Sequence, residues 1–383
     1  MKRVSNVITA VSVLIFMAVM LIFTLISAVT GGGDDTVRND RGVIRTVLSV
    51  IDGGLGKSIT RGFADNFSGR IDWVAIDSKV ESSIGESIVN GVYISEDRLI
   101  SADNSGLTVS DDCASSIMDF ASVYDGAAYL VAVPGSAGVY SELLPEYMDQ
   151  RTQKQLIDRF YELLDTGIRR IDAYNRLKML NGNYVYFRSD NKWTSYGAYC
   201  VYRTVIQKLG FQPSSYDKYS IEHVTDSFCG DLYSRTQYMR CRPDVLDIYT
   251  YDGGPEVTGC TLLNYDGTET PCLLYDREAL RTDDKYALYP GVGYPRIDIR
   301  TSIGNERKLL VIGDDYAACF VPFLLQHYSE VTVIYPAHTS GKLNDYVDIG
   351  SYEQTLFLFG IDSLCGKNIL DELLEDYTIK EEN

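Results

Sequence analysis

The chain has 383 residues, 45% of them apolar and 11% aromatic, which supplies a large core without metals or disulfides and excludes disorder as the main state. Its 35 basic and 53 acidic side chains leave a net charge of −18, a balance that repels phosphate backbones and anionic headgroups and argues against nucleic-acid binding. At about 150 residues per domain, the length fits two or three domains.

Residues 1–6 are a short tip containing Lys2 and Arg3, and residues 7–29, from Val7 to Val29, carry no charge. A helix of that length, at about 1.5 Å per residue, crosses the ~30 Å hydrocarbon core. Lys2 and Arg3 stand before it, while Asp34-Asp35 follow Gly31-Gly32-Gly33. The positive-inside rule therefore predicts a single-pass signal anchor in the cell membrane, with the tip in the cytoplasm and the bulk of the chain extracytoplasmic. A cleaved signal peptide is the competing reading, but the run exceeds the ~7–15 residues of an h-region and Ser27-Ala28-Val29-Thr30 is a poor cleavage site.

Residues 30–90, with Gly31-Gly32-Gly33, Gly53-Gly54 and only short apolar runs, read as a tether and lead-in segment. The folded domain is expected over 91–366, where strand and helix patterns alternate as in an α/β domain with a mainly parallel sheet. Tyr129 to Val133 is a continuous apolar run stopped by Pro134-Gly135, the pattern of a strand covered on both faces. Leu156, Phe160, Leu163 and Leu164 follow at helical spacing. Tyr184 to Phe187 predicts another strand, and Ala198, Tyr202, Val205 and Leu209 a helix closed by Gly210. Lys308 to Ile312, Ala317 to Tyr328 and Glu330 to Ile334 read as one βαβ crossover, and Gln354 to Phe359 as a last strand before an acidic tail over 367–383.

Eight cysteines include no C-x-x-C, and there are three histidines, so neither a metal nor another cofactor is expected. In an exported chain thiols can be oxidised. Cys229, Cys241, Cys260 and Cys272 fall in one Gly- and Asp-rich stretch and are candidates for one or two disulfides, with three connectivities open. Cys200 and Cys319 sit in apolar helical patterns and read as buried thiols.

Ligands of parallel sheets collect beyond the carboxyl ends of the strands. Two segments stand there: Asp190-Asn191-Lys192-Trp193 after the Tyr184 run, and Asp314-Asp315-Tyr316 after the Lys308 run. The stretches YVYFRSDNKWTSYGAYCVY (184–202) and KLLVIGDDYAACFVPFLLQHY (308–328) resemble the DHHW family of exported bacterial proteins. That family is similar to the SGNH hydrolase-like superfamily, which includes the alginate O-acetylation proteins. Lesser matches in the same order are Gly91-Val92-Tyr93-Ile94, Pro134, Leu144-Pro145, Asp172 and Gly230-Asp231-Leu232-Tyr233-Ser234. The resemblance implies a three-layer α/β/α, flavodoxin-like domain preceded by one transmembrane helix.

It also implies a site that this chain has lost. The family's Asp-His-His-Trp motif supplies acid and base, and its Asp-Ser-Tyr turn supplies the nucleophile. Here Lys192 occupies the place of the second histidine and Asp315 that of the serine, with Asp190, Asp314, Trp193 and Tyr316 retained. Gly293, in Tyr289 to Pro295, stands where an asparagine is expected. Acyl transfer needs an oxygen nucleophile, a base for its proton and donors for the oxyanion, and a lysine of ordinary pKa is protonated at pH 7. Asp190, Lys192 and Asp315 are instead expected to form an Asp–Lys–Asp cluster bridging the two loops, with Asp315 also capping the helix after it.

Among weaker binding candidates, Trp193 could stack on a sugar, although core packing is the preferred role. His338, near the carboxyl edge, is the one histidine kept as a site candidate, whereas His327 at a helix end reads as structural. The function implied is a membrane-anchored extracytoplasmic pseudo-hydrolase that binds or scaffolds in cell-surface polysaccharide modification or envelope assembly. Its partners would be a membrane-bound O-acyltransferase or a surface glycan. The alternative is an active O-acetyltransferase or acetyl esterase with a relocated set drawn from Asp314, Asp315, Tyr316 and His338.

Overall fold

The computed structural model describes residues 88–102, 107–145, 153–238 and 240–378, all within a compact unit spanning Glu81–Asn383. The predicted anchor, and the tether up to residue 87, lie outside the described residues. Among those residues no helix is long and apolar enough to cross a membrane.

The described chain opens with a small antiparallel sheet of β1 (Ile88–Val89), β2 (Val92–Ile94) and β3 (Leu99–Ser101). Asn90 and Gly91 turn it with φ of 47° and 70°, the left-handed pair that a two-residue hairpin requires. Helix α1 (Asp111–Val123) starts on Ser110, whose hydroxyl accepts the Cys113 N–H. Strand β4 (Ala127–Val133), helix α2 (Gln153–Leu163) and strand β5 (Ile168–Asp172) follow. Helix α3 (Ser195–Lys208) is capped by Thr194 and released at Gly210, whose φ of +93° is the left-handed stop expected of it. A hairpin of β6 (Tyr219–Phe228) and β7 (Asp244–Tyr251) stands apart from the main sheet. The remaining strands are β8 (Val257–Leu263), β9 (Glu269–Pro271), β10 (Arg296–Thr301), β11 (Lys308–Gly313), β12 (Glu330–Ile334) and β13 (Gln354–Gly360).

The fold is mixed α/β around a mainly parallel sheet. Its eight strands run in the order β5-β4-β13-β11-β12-β10-β8-β9, parallel from β5 to β12 and antiparallel beyond. Alternate residues of the central strands enter different cores. Tyr129, Val131, Leu309, Val311, Leu356 and Leu358 join α3 on one face, whereas Leu130, Ala132, Leu310, Ile312, Phe357 and Phe359 join α1 and α2 on the other. This two-sided burial explains the continuous apolar runs read in the sequence.

Three expectations need correction. The strand order is not flavodoxin-like: the last strand, β13, inserts between β4 and β11 instead of ending the series. Tyr184 to Phe187, buried from Val185 on, forms no strand, because its backbone turns back on its own loop: Phe187 N–H donates to the Lys192 carbonyl, Thr194 N–H donates to the Val185 carbonyl, and one bridge pairs Tyr186 with Trp193. The crossover between β11 and β12 exists, but its helix shrinks to Val321–Leu324 within a series of turns. Pro322 accounts for this, since it offers no N–H to the turn before it and can sit only in the first turn of a helix. The acidic C-terminal segment packs onto the domain through Leu370, Leu373, Leu374 and Tyr377.

Candidate functional site

Three loops converge at the carboxyl ends of β4, β11 and β13 and meet the segment 189–193. Each residue of the Asp-Asn-Lys-Trp quartet has its own attachment. Asp190, 2% exposed, accepts the Asp231 N–H through Oδ2 at 3.0 Å and the Lys192 N–H through Oδ1 at 2.9 Å. Gly230 permits this approach, since a Cβ there would fall 2.3 Å from Asp190 Oδ2. Asn191 Oδ1 accepts from the N–H and hydroxyl of Ser136, both at 3.0 Å, just past the end of β4. Trp193 is fully buried, donates its indole N–H to the Tyr316 carbonyl at 3.0 Å and stacks on Phe320.

Lys192 Nζ lies 3.1 Å from Asp190 Oδ1 and 4.8 Å above the Tyr286 ring. Tyr286 in turn donates its hydroxyl to the Asp315 carbonyl at 3.0 Å. Burial pulls the Lys192 ammonium down, but the charges of Asp190 and then Asp315 outweigh it and hold its pKa up, at about 12. Burial likewise pushes Asp190 up, and the Lys192 charge with the two backbone N–H groups overcomes it, leaving the carboxyl below its ordinary value. The direct contact of the expected triad is therefore Asp190–Lys192, and Asp315 acts on the ammonium through space.

The capping role expected of Asp315 has no helix to act on, since the helix starts only at Val321 and no side chain caps it; the neighbouring Asp314 instead holds the turn. Its Oδ1 takes the Tyr316 N–H at 3.0 Å, and its Oδ2 takes the Gly360 N–H at 2.8 Å and the Ser363 hydroxyl at 2.7 Å, tying β11 to the end of β13. Burial raises the Asp314 carboxyl to about 6 in spite of these donors. Tyr316 is buried and donates its hydroxyl to the Asn191 carbonyl at 2.8 Å.

The other candidates lie elsewhere. Gly293 has φ of +82° with open space around it, next to Gly291, where a Cβ would strike Ile297. Pro290, Gly291 and Val292 line a cavity of about 460 Å³ with Leu273, Leu274 and Tyr289. His338 bonds Tyr265 through Nδ1 at 2.8 Å, and none of Asp314, Asp315 or Tyr316. His327 is buried against the Tyr202 hydroxyl, and burial lowers its pKa to about 4. His223 pairs with Asp247. Among the described residues no imidazole is hydrogen-bonded to a serine, threonine or cysteine. No two of the eight cysteines, Cys229, Cys241, Cys260 and Cys272 included, are bonded to each other in the structure.

Sequence reasoning missed Asp244. It is fully buried and accepts the N–H groups of Arg188 and Ser189 and the hydroxyls of Ser189 and Tyr184, so it fixes the loop from which Asp190 and Lys192 project. A lone aspartate at a strand start gives no signal of that role. Tyr286, the aromatic lid over Lys192, was equally invisible, because its proximity comes from a segment nearly a hundred residues away.

An α/β domain with paired loops over the carboxyl edge of a parallel sheet, one carrying Asp-Asn-Lys-Trp and the other Asp-Asp-Tyr, defines the class. The sequence profile of the DHHW proteins matches residues 49–334, and the chain belongs to that family. Among solved structures, it is similar to a DHHW family protein from Eubacterium siraeum DSM 15702, with 20% identity, a TM-score of 0.63, and coverage of 77% of this chain and 98% of that one. It is also similar to Bacillus cereus PatB1, in a structure with a sulfonyl adduct, with 20% identity, a TM-score of 0.61, and coverage of 73% and 97%. No curated protein matches the sequence significantly.

Proposed function

We propose that this chain is a catalytically silent DHHW protein, with an SGNH-like three-layer domain, that works by binding or scaffolding outside the membrane. Its setting would be polysaccharide O-acetylation or envelope assembly at the cell surface. Residues 7–29 would anchor it, and a membrane-bound O-acyltransferase or a surface glycan would be its partner. The observation that carries this reading is the ion pair between buried Asp190 and half-buried Lys192. The group in the place of the expected base is an ammonium held protonated to about pH 12, and such a group cannot accept a hydroxyl proton.

Serine hydroxyls of the surrounding loops support the same reading. Ser189 donates to Asp244, Ser363 to Asp314, and Ser195 bonds the Tyr289 hydroxyl and the Asp247 carbonyl, with no imidazole behind any of them. An activated serine reacts with sulfonyl fluorides, so the test is intact-mass analysis of the purified chain after exposure to phenylmethylsulfonyl fluoride. No adduct is expected. A stoichiometric adduct on a serine of the 189–195 or 360–363 loops would overturn the reading.

A further inference from the structure

We propose that Cys260 and Cys272 are joined by a disulfide in the mature protein. The two residues face each other across the hairpin of β8 and β9, continuing the Thr261 to Pro271 pairing by one residue, and the Cys272 N–H donates to the Cys260 carbonyl at 2.9 Å. Their sulfurs are 3.0 Å apart. Opposed residues of an antiparallel pair have Cα atoms roughly 4.5–5.5 Å apart, inside the ~4.4–6.8 Å that a disulfide spans. A shift of about 1 Å in the sulfurs, well within side-chain rotation, closes the distance to a bond of about 2.05 Å. A zinc site is the other use of such a dithiol, but among the described residues no third ligand completes one.

The chemistry is an exchange with an external disulfide, either that of a dithiol oxidase or glutathione disulfide. Cys272 is the more exposed of the two and lines the 460 Å³ cavity, so its thiolate attacks first. One sulfur of the oxidant leaves as a thiolate, the Cys260 thiolate then displaces the other, and two electrons pass to the oxidant as the two cysteines give up their protons. The bridge ties the three exposed residues of β9, at the edge of the main sheet, to β8, where few packed side chains hold them. Formation in the cell rests on the extracytoplasmic reading above, because cytosolic thiols are kept reduced.

Two measurements test this separately. The purified full chain, reduced and then incubated with glutathione disulfide, should yield after proteolysis a reducible peptide pair linking Cys260 to Cys272. Failure to form that link, or a link to other cysteines instead, overturns the proposal on geometry and leaves the extracytoplasmic reading standing. Chain made in its native host and alkylated at lysis should show the same link, with both residues unalkylated. Alkylation of both there, when the link forms in vitro, overturns the proposal for the mature protein and counts against export. The Cys260→Ser, Cys272→Ser double variant should melt at the temperature of the reduced chain and below that of the oxidised one.

Discussion

Replacing Lys192 by methionine removes the charge but keeps most of the side-chain volume. Asp190, its side chain 3% exposed, then has a buried carboxylate without its cation, retaining only the N–H donors of Lys192's own backbone and Asp231. Breaking a buried pair from one side costs about 3–5 kcal/mol, and the two remaining donors place this case at the lower end, at about 3. Over the unit Glu81–Asn383, with about 2.1 cal/mol/K of unfolding entropy per residue, that corresponds to a fall of roughly 5 °C in melting temperature. The pH dependence adds a second signature. Asp190 has a lowered folded pKa, so its contribution is present above about pH 4 and lost as pH falls through the folded value. That of Lys192, raised, is present below about pH 10 and lost as pH rises through about 12. In the Lys192→Met variant the uncompensated carboxyl takes up a proton more readily, so its deficit relative to wild type narrows as pH falls from 7 towards 4. Thermal unfolding followed by circular dichroism at several pH values measures both. A variant that melts within 1 °C of wild type at pH 7, or a deficit that does not change with pH, would refute the buried-pair argument.

Adding Asp190→Asn to Lys192→Met should give a double variant less destabilised than the sum of the singles by at least about 1.5 kcal/mol, read from a urea double-mutant cycle. Gly197→Ala places a Cβ 2.2 Å from the Val185 carbonyl oxygen, a backbone atom that cannot swing away, and should cost about 2 kcal/mol or more, whereas Gly182→Ala, with nothing within 4 Å, should stay within about 0.5. His327, lowered to about 4 by burial, stays neutral in the folded chain while the unfolded chain takes up a proton, so its contribution falls by about 3 kcal/mol between pH 6.5 and 4. Asp314, raised to about 6, acts in the opposite sense over the same range. The two contributions oppose each other, and His327→Gln, which lacks the first, should gain on wild type as pH falls. Parallel urea titrations at pH 7 and 4.5 check this.

The sheet was legible wherever a strand is buried on both faces. The apolar runs of β4, β11, β12 and β13 announce themselves, and Gly210 closes α3. Tyr184 to Phe187 carries the same composition for a different reason: its side chains fill the core under the site while its backbone bonds locally. Composition cannot separate those cases. The crossover helix failed at Pro322, whose effect on the preceding turn overrode a good 3.6-residue periodicity. Asn90-Gly91 is a hairpin signal of the kind the sequence alone carries. At the site, the Asp190–Lys192 contact was readable because two residues apart on one loop already places them close. Asp244, Tyr286 and the share of Asp314 in joining β11 to β13 depend on strand order, and β13 inserting centrally is a long-range outcome that no local pattern encodes.

The central claim is that an ammonium paired with Asp190 stands in the place of the expected base, and the carboxylate of Asp315 in that of the nucleophile. It is tested most directly by the rate at which the purified full chain hydrolyses or transfers an acetyl group from an acetyl ester between pH 6 and 9. The account predicts a rate equal to that of buffer alone, unchanged by Asp315→Ala. Turnover above that background, abolished by Asp315→Ala, would contradict it.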